Sequence, residues 1–323
     1  MHVIVPELLR GGENADQPWR PWVRREDGDQ LVTLGGKTIR SAVGEFVEVG
    51  QILEDRRQAG IDAVLLCPWV ALLYPDATPA VCLERCRLQN EGLERMVLAR
   101  PRQVAALGAV PMQDPELAAE ELLALRGRGI LAGVEVTASI RGTYLGDPSF
   151  EPFWSVAEQT ASVVFVHPTT EGFDASVFGS HYLWNTVGNP LETTVAAAQM
   201  VMAGVMERHP GLTVVLAHGG GALLTIGGRL RRSHEFQVAA RADLKEAPDT
   251  SIRRFHFDSV THSLPQLQTL VDFVGADRVV LGSDYPFDMA DPDPVGSVEA
   301  LEGELQAAIL GGNANRLLRH AAA

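Results

Sequence analysis

The chain has 323 residues, 46% of them apolar, with a formal net charge of −14 and a pI near 5.1. A large core is affordable on that composition, and the acidic balance excludes nucleic acid and anionic membranes as natural partners, since both require clustered basic charge. The three cysteines, Cys67, Cys82 and Cys86, are too few and odd in number for a disulfide framework; with no long apolar run and no leader-like start, a cytoplasmic protein is expected.

In chain order, the sequence opens MHVIVPELLR, where His2 precedes a short apolar run. The stretch from about 10 to 45 is polar and rich in Gly, Arg and Trp, and reads as a loop inserted over the mouth of the fold. From about residue 60 a beat sets in. Short, almost continuously apolar runs end in a polar residue, and amphipathic segments follow. The runs are DAVLLCP (62–68), QVAALGAVP (103–111), ILAGVEVTA (130–138), SVVFVHP (162–168), LTVVLAH (212–218), RFHFDSV (254–260) and RVVLGSDYP (278–286). Uninterrupted apolar strands are the mark of a sheet covered on both faces. The helical segments run EVGQILEDRRQAG, 78–99, PELAAEELLALRGRG, FEPFWSVAEQT, ETTVAAAQMVMAGVMERHPG, 222–240, LPQLQTLVDFVG and a final run ending near ANRLLRH. Cys82 and Cys86, four apart on the second of these, read as buried small residues.

Seven strands alternating with helices predict a parallel α/β protein. A doubly wound sheet would carry a Gly-rich phosphate turn after its first strand, and no G-x-G-x-x-G is present. An eighth strand near MHVIV completes the count of a (β/α)8 TIM barrel, a single domain over 1–323.

In such barrels chemistry gathers at the C-terminal ends of the strands. Four consecutive strands here end at His167, His218, Asp258 and Asp284. One such residue is ordinary; four in succession at one face point to a site. Imidazole plus carboxylate suits Zn²⁺ or a related divalent ion, and a catalytic zinc needs about three protein ligands with one position open. Glu135, in GVEV, is a carboxylate in an otherwise apolar strand, and a minor candidate for the site.

HVIVPEL, HPTT, LAHGGGALL and GSDYPF, in this order and spacing, resemble the amidohydrolase superfamily. Within it they resemble the branch of α-amino-β-carboxymuconate-ε-semialdehyde decarboxylase, and LGAVPMQDPELAAEEL, DPSFEPFWSVAEQT and LWNTVGNPLETTVA agree. The resemblance implies metal ligation by His2, His167 and Asp284, with zinc or manganese as the ion and no organic cofactor. It makes His218 the catalytic residue that orients or deprotonates water at the metal, beside Asp284. Arg40, Arg229 and Trp184 become substrate-binding residues, and Asp258 a support for a ligand or for His218. In this family strand one ends in Asp-x-His-x-His, so His2 matches the second histidine and the first strand reads as truncated. Thr169 stands where a family tryptophan follows the HP of strand five, and an arginine donated across the family's dimer aligns near Gln237 or Arg241.

The implied activity is metal-dependent, non-oxidative decarboxylation of a small aromatic or muconate-type acid by a homodimer. The same first set of ligands would serve a hydrolase of a lactone, ester or amide. An inactive binding homologue is the third alternative.

Overall fold

Continuous apolar runs demand cover on both faces, and all seven become parallel strands in the structure. It is a computed structural model that describes residues 1–12, 17–26, 28–42, 44–169, 172–301 and 305–322. The strands in chain order are β1 (His2–Val3), β2 (Trp22–Glu26), β3 (Asp29–Leu34), β4 (Lys37–Ala42), β5 (Val64–Pro68), β6 (Val104–Ala106) and β7 (Gly133–Thr137). They continue with β8 (Ser139–Ile140), β9 (Thr143–Tyr144), β10 (Val163–His167), β11 (Thr213–Leu216), β12 (His256–Asp258) and β13 (Val279–Val280). One sheet has the order β1-β5-β6 and a second β13-β12-β11-β10-β7, every pair parallel. A parallel bridge between Gly108 and Val134 joins β6's exit to β7. At the far edge, the His2 N–H donates to the Tyr285 carbonyl at 2.8 Å, so the first strand also meets the segment after the last one.

Long helices alternate with these strands, as the periodicity predicts: Val49–Gln58, Pro79–Ala99, Pro115–Arg128, Glu151–Gln159, Asn189–Met202, Leu223–Phe236 and Leu264–Val274. Several carry simple start and stop signals. Asp114 accepts from the Leu117 N–H at the head of its helix, and Gly129 ends the same helix in the left-handed conformation. No helix among the described residues is long and apolar enough to cross a membrane. Cys67, Cys82 and Cys86 are buried free thiols.

The stretch from 10 to 45 corrects the expectation of a loop. Its described residues contain a three-stranded antiparallel sheet, β2-β3-β4. The sequence hides it because β2 is half-exposed to exposed, while β3 buries most of its residues. Glu45 fastens this sheet to the body of the fold. Its Oε1 accepts the N–H groups of Phe46, Val47 and Glu48 at 2.8–3.0 Å and the Gln30 amide at 3.1 Å, and Arg25 pairs with Oε2. The Glu45 N–H donates to the Tyr285 hydroxyl, which in turn donates to Asp55 Oδ2, both at 2.6 Å. Burial would push the Glu45 carboxyl up, but the N–H groups of Glu48 and Val47, with Gln30 and Arg25, outweigh it and hold it below the usual range.

β1 is also firmer than a terminal segment usually is. His2 and Val3 pair in parallel with Cys67 and Pro68, and His2 is 2% exposed.

Candidate metal centre and its cavity

The two imidazoles at strand ends are oriented by main-chain carbonyls. His2 Nδ1 lies 3.0 Å from the Pro68 carbonyl, and His167 Nδ1 lies 2.9 Å from that of Pro168. A carbonyl only accepts, so Nδ1 of each ring carries the proton, and in the neutral ring Nε2 is left with a lone pair. Both Nε2 atoms turn to Asp284 Oδ1, at 3.2 Å from His2 and 3.8 Å from His167. The rings meet edge to face, 4.8 Å between centroids. The donor atoms of His2, His167 and Asp284 all lie within 4.8 Å of one another.

This geometry fits a cation. His167 Nε2 is buried with no hydrogen-bond partner, and burial pushes the ring down to about 4, so at neutral pH it is an uncharged donor. Asp284 is held well below the usual carboxylate range: burial opposes its charge, but His167, His2 and His218 all stabilise it. Two ring nitrogens and a carboxylate oxygen thus converge on one point, which is the donor set of a divalent-metal site.

His218 has a different exposure. Its side chain is 16% exposed, against 2% for His2 and 7% for His167. Its Nε2 stands 3.7 Å from Asp284 Oδ2, and its Nδ1 is buried without a partner. Burial lowers the ring's proton affinity, but Asp284 and Asp258 reverse this and leave it raised. The residue sits in a left-handed turn, φ +56°, and Asp284 is likewise at φ +52°. Such conformations cost energy in non-glycine residues and collect at functional sites. Asp258 holds the His218 turn by its main chain: Oδ2 accepts from the His218 N–H at 3.0 Å, and Oδ1 from Gly219 at 2.8 Å and Val260 at 3.1 Å. The glycines that follow are sterically required. At Gly221, φ +63°, a Cβ would collide with the Pro190 carbonyl oxygen, and at Gly220 it would press into the Phe257 ring.

A cavity of about 450 Å³ opens beside His218 and Asp284, and Asn185, Thr225, Thr261 and His262 line it with them. That volume is in the range of small-molecule sites. His262 carries no motif in the sequence. It follows a strand end in a loop, at φ +52°, and only the fold brings it to the cavity.

The loop that follows His167 is held by Glu192, which is 0% exposed. Its oxygens accept from the Thr169 N–H at 2.6 Å, the Gly172 N–H at 2.9 Å and the Ser139 hydroxyl at 2.8 Å. The sequence conceals this role, since Glu192 sits in a helical segment where a glutamate reads as a surface residue. Beneath the centre, Glu135 is 1% exposed. Its Oε1 is 3.8 Å from His2 Nδ1, and burial pushes the carboxyl well above its usual range.

The structure therefore brings together His2, His167, His218, Asp258 and Asp284. The three expected substrate contacts are not gathered in the same way. Arg229 is exposed on the helix Leu223–Phe236. Trp184 is 44% exposed and lies edge to face with Tyr182, while its neighbours Asn185 and Thr186 line the cavity. The Arg40 side chain lies outside the described residues.

The family model described as amidohydrolase matches residues 73–320. A 2-amino-3-carboxymuconate-6-semialdehyde decarboxylase of Dictyostelium discoideum is 33% identical over 294 residues, 88% of this chain and 80% of that protein. The crystal structure of 5-carboxyvanillate decarboxylase from Sphingomonas paucimobilis superposes with a TM-score of 0.79 at 25% identity, covering 86% of this chain and 85% of the other. A dihydroxybenzoic acid decarboxylase from Polaromonas, solved with manganese and the inhibitor 2-nitroresorcinol, shares the fold with a TM-score of 0.77 at 22% identity, covering 85% and 86%. The chain belongs to the amidohydrolase family, and these relatives that span most of its length are decarboxylases.

Proposed function

We propose that this protein is a metal-dependent, non-oxidative decarboxylase of a small aromatic or muconate-type carboxylic acid. The observation that carries the reading is the division of labour at one face. His2, His167 and Asp284 bring their donor atoms to one point, and His218 beside them is turned to a cavity large enough for one such acid. His2, His167 and Asp284 would hold the ion, Zn²⁺ by their chemistry or Mn²⁺ by analogy with the Polaromonas enzyme. When bound, it supplies a Lewis acid that fixes the substrate's oxygen atoms and draws off negative charge.

The chain's own residues do the rest. In decarboxylation the C–C bond to the carboxylate breaks, its electron pair stays on the substrate carbon, CO₂ leaves, and a proton takes its place. His218 is the group to hold and deliver that proton at Nε2, with Asp284 Oδ2 at 3.7 Å sustaining its charged form. Asp258 keeps the ring in place through the main chain. Arg40 and Arg229 are assigned to the substrate carboxylate, where a guanidinium binds in bidentate fashion, and Trp184 to its ring. The eight parallel strands are read as a closed (β/α)8 barrel, a reading supported by the Gly108–Val134 bridge and the His2-to-Tyr285 hydrogen bond. A cytosolic homodimer is the assembly we assign; free thiols support the first part, and the exposed Phe236 and Val238 the second.

Metal-loaded protein incubated with carboxylated phenols and muconates tests the proposal, with CO₂ as the readout. Release of CO₂, with kcat lowered by about 10²–10⁴-fold in His218→Gln while metal content holds, is the expected result. Opening of a lactone with no CO₂ from any acid would overturn it.

A further inference from the structure

The cavity beside the metal centre is lined by two histidines, His218 and His262. They stand on adjoining turns. His218 opens the turn after the strand Thr213–Leu216, and His262 lies at the end of the turn after His256–Asp258. One carboxylate clamps both turns. Asp258 Oδ2 accepts from the His218 N–H at 3.0 Å, and its Oδ1 accepts from Gly219 at 2.8 Å and Val260 at 3.1 Å. The turns also pack on each other, since a Cβ at Gly219 would lie 2.7 Å from Thr261 Cγ2. His218 adjoins one side of that contact and His262 the other.

The chain around His262 is tied down. The Thr261 N–H donates to the Ser259 carbonyl at 2.9 Å, the Ser259 hydroxyl accepts from the Gly282 N–H at 3.1 Å, and the Thr261 hydroxyl donates to the Ser263 carbonyl at 3.0 Å. His262 itself is held in the left-handed conformation, φ +52°, which costs energy in a non-glycine residue and collects at functional sites. His218 shows the same conformation across the contact. The cavity around the two rings is walled by the amide of Asn185, the hydroxyls of Thr225 and Thr261, and the apolar Leu270 and Met289. Apolar walls with a few fixed polar groups are the make-up of a small-molecule site. In its neutral form an imidazole there donates one N–H to an oxygen of the occupant from whichever ring nitrogen carries the proton.

We propose that His262 is a substrate-binding residue: its ring N–H donates to an oxygen of the bound acid and holds the acid beside His218. The proposal rests on the decarboxylase reading for the chemistry of the ligand, and adds to that site a residue from the turn that Asp258 locks to His218.

Calorimetric titration of metal-loaded protein with salicylate, a hydroxylated benzoate, tests it. His262→Gly removes the ring and keeps the left-handed turn at no steric cost. It is expected to weaken salicylate binding by about 10-fold, the loss of one hydrogen bond to a charged acid, with metal content unchanged. Equal affinity in the variant overturns the proposal, and so does a lowered thermal midpoint with equal affinity, which makes the residue a structural one. Absence of salicylate binding by the unaltered protein also overturns it. Should His262→Gly fail to fold, His262→Asn, which tolerates the same φ on a shorter side chain, is read in the same way. Turnover separates this proposal from the reading beneath it. With an acid that releases CO₂, His262→Gly should raise KM by about 10-fold and leave kcat close to that of the unaltered protein, as loss of uniform binding does; an unchanged KM overturns the role of His262 alone. If no acid releases CO₂ and salicylate binding still falls in the variant, the decarboxylase reading fails and the role of His262 in binding stands.

Discussion

Glu192 and Glu135 are buried to the same degree, 0% and 1% exposed, but the fold treats them in opposite ways. Glu192, against the segment after His167, accepts from two main-chain N–H groups and a serine hydroxyl. Glu45, just past the last strand of the small antiparallel sheet, accepts from three N–H groups and an amide. Glu135, on the floor, accepts from nothing. The same side chain thus serves two purposes. Where a carboxylate is saturated by main-chain donors it holds a loop or a helix start, and its work is done within the chain. Where it is bare and equally buried, burial pushes the carboxyl well above its usual range and disfavours its charge.

Four substitutions break or sharpen that contrast. The largest effect is expected from His167→Ala, which removes a donor above the bare carboxylate: metal content should fall to background and turnover by on the order of 10³-fold or more. Metal analysis and CO₂ release check it. Next comes Glu192→Gln, which weakens three charge-assisted bonds and is expected to cost about 2–3 kcal/mol, read as a shift of the urea midpoint with an unchanged slope.

Glu45→Gln should cost less, about 1–2 kcal/mol near pH 7, and its cost should depend on pH. The folded-state carboxyl is held below its ordinary 4.5. A depressed carboxyl contributes stability that is complete above the unfolded value and is lost as pH falls through the folded one. The gap between Glu45→Gln and the unaltered protein should therefore be full above about pH 5 and close in stronger acid; a gap that widened in acid would contradict the hydrogen-bonding described for Glu45. The smallest effect belongs to Glu135→Gln in metal-free protein. Burial already holds this carboxyl well above its usual range, so the amide replaces a neutral acid, and thermal stability should change by less than about 1 kcal/mol in either direction. A loss as large as that of Glu192→Gln would place Glu135 with the saturated carboxylates and end the contrast.

Much of this was legible in the sequence because parallel strands and their active ends have a strong local signature. VVFVH, VVLAH and LGSD each join an apolar run to a polar terminus, and the fold carries them to one face. The strand GVEVT also carried a signal, a carboxylate where burial on both faces forbids an idle one. Other parts had none. β2 is polar and partly exposed, and β4 is polar in sequence, so no apolar alternation announced a sheet. Glu192 reads as a surface residue on a helix until the loop it holds is seen. His262 reaches the cavity through a left-handed loop residue, a property of the chain path and not of neighbouring letters. Trp184 and Arg229 show the converse: a motif match gives position along the chain, and the side chain's surroundings depend on what packs there.

The hydrogen bond from His2 to Tyr285, small in itself, ties the centre to the whole folding reaction. Its donors come from the second residue and from position 284, so no local segment can assemble them, and the sequence separation is nearly the length of the chain. Contacts of that span form late and are lost early when a protein opens. An ion held by His2, His167 and Asp284 would therefore act as a clasp between the first strand and the segment that follows the last one. It would slow the escape of β1 and protect that edge's amides from hydrogen exchange. Under chelation the same edge is the place where unfolding and proteolysis would begin.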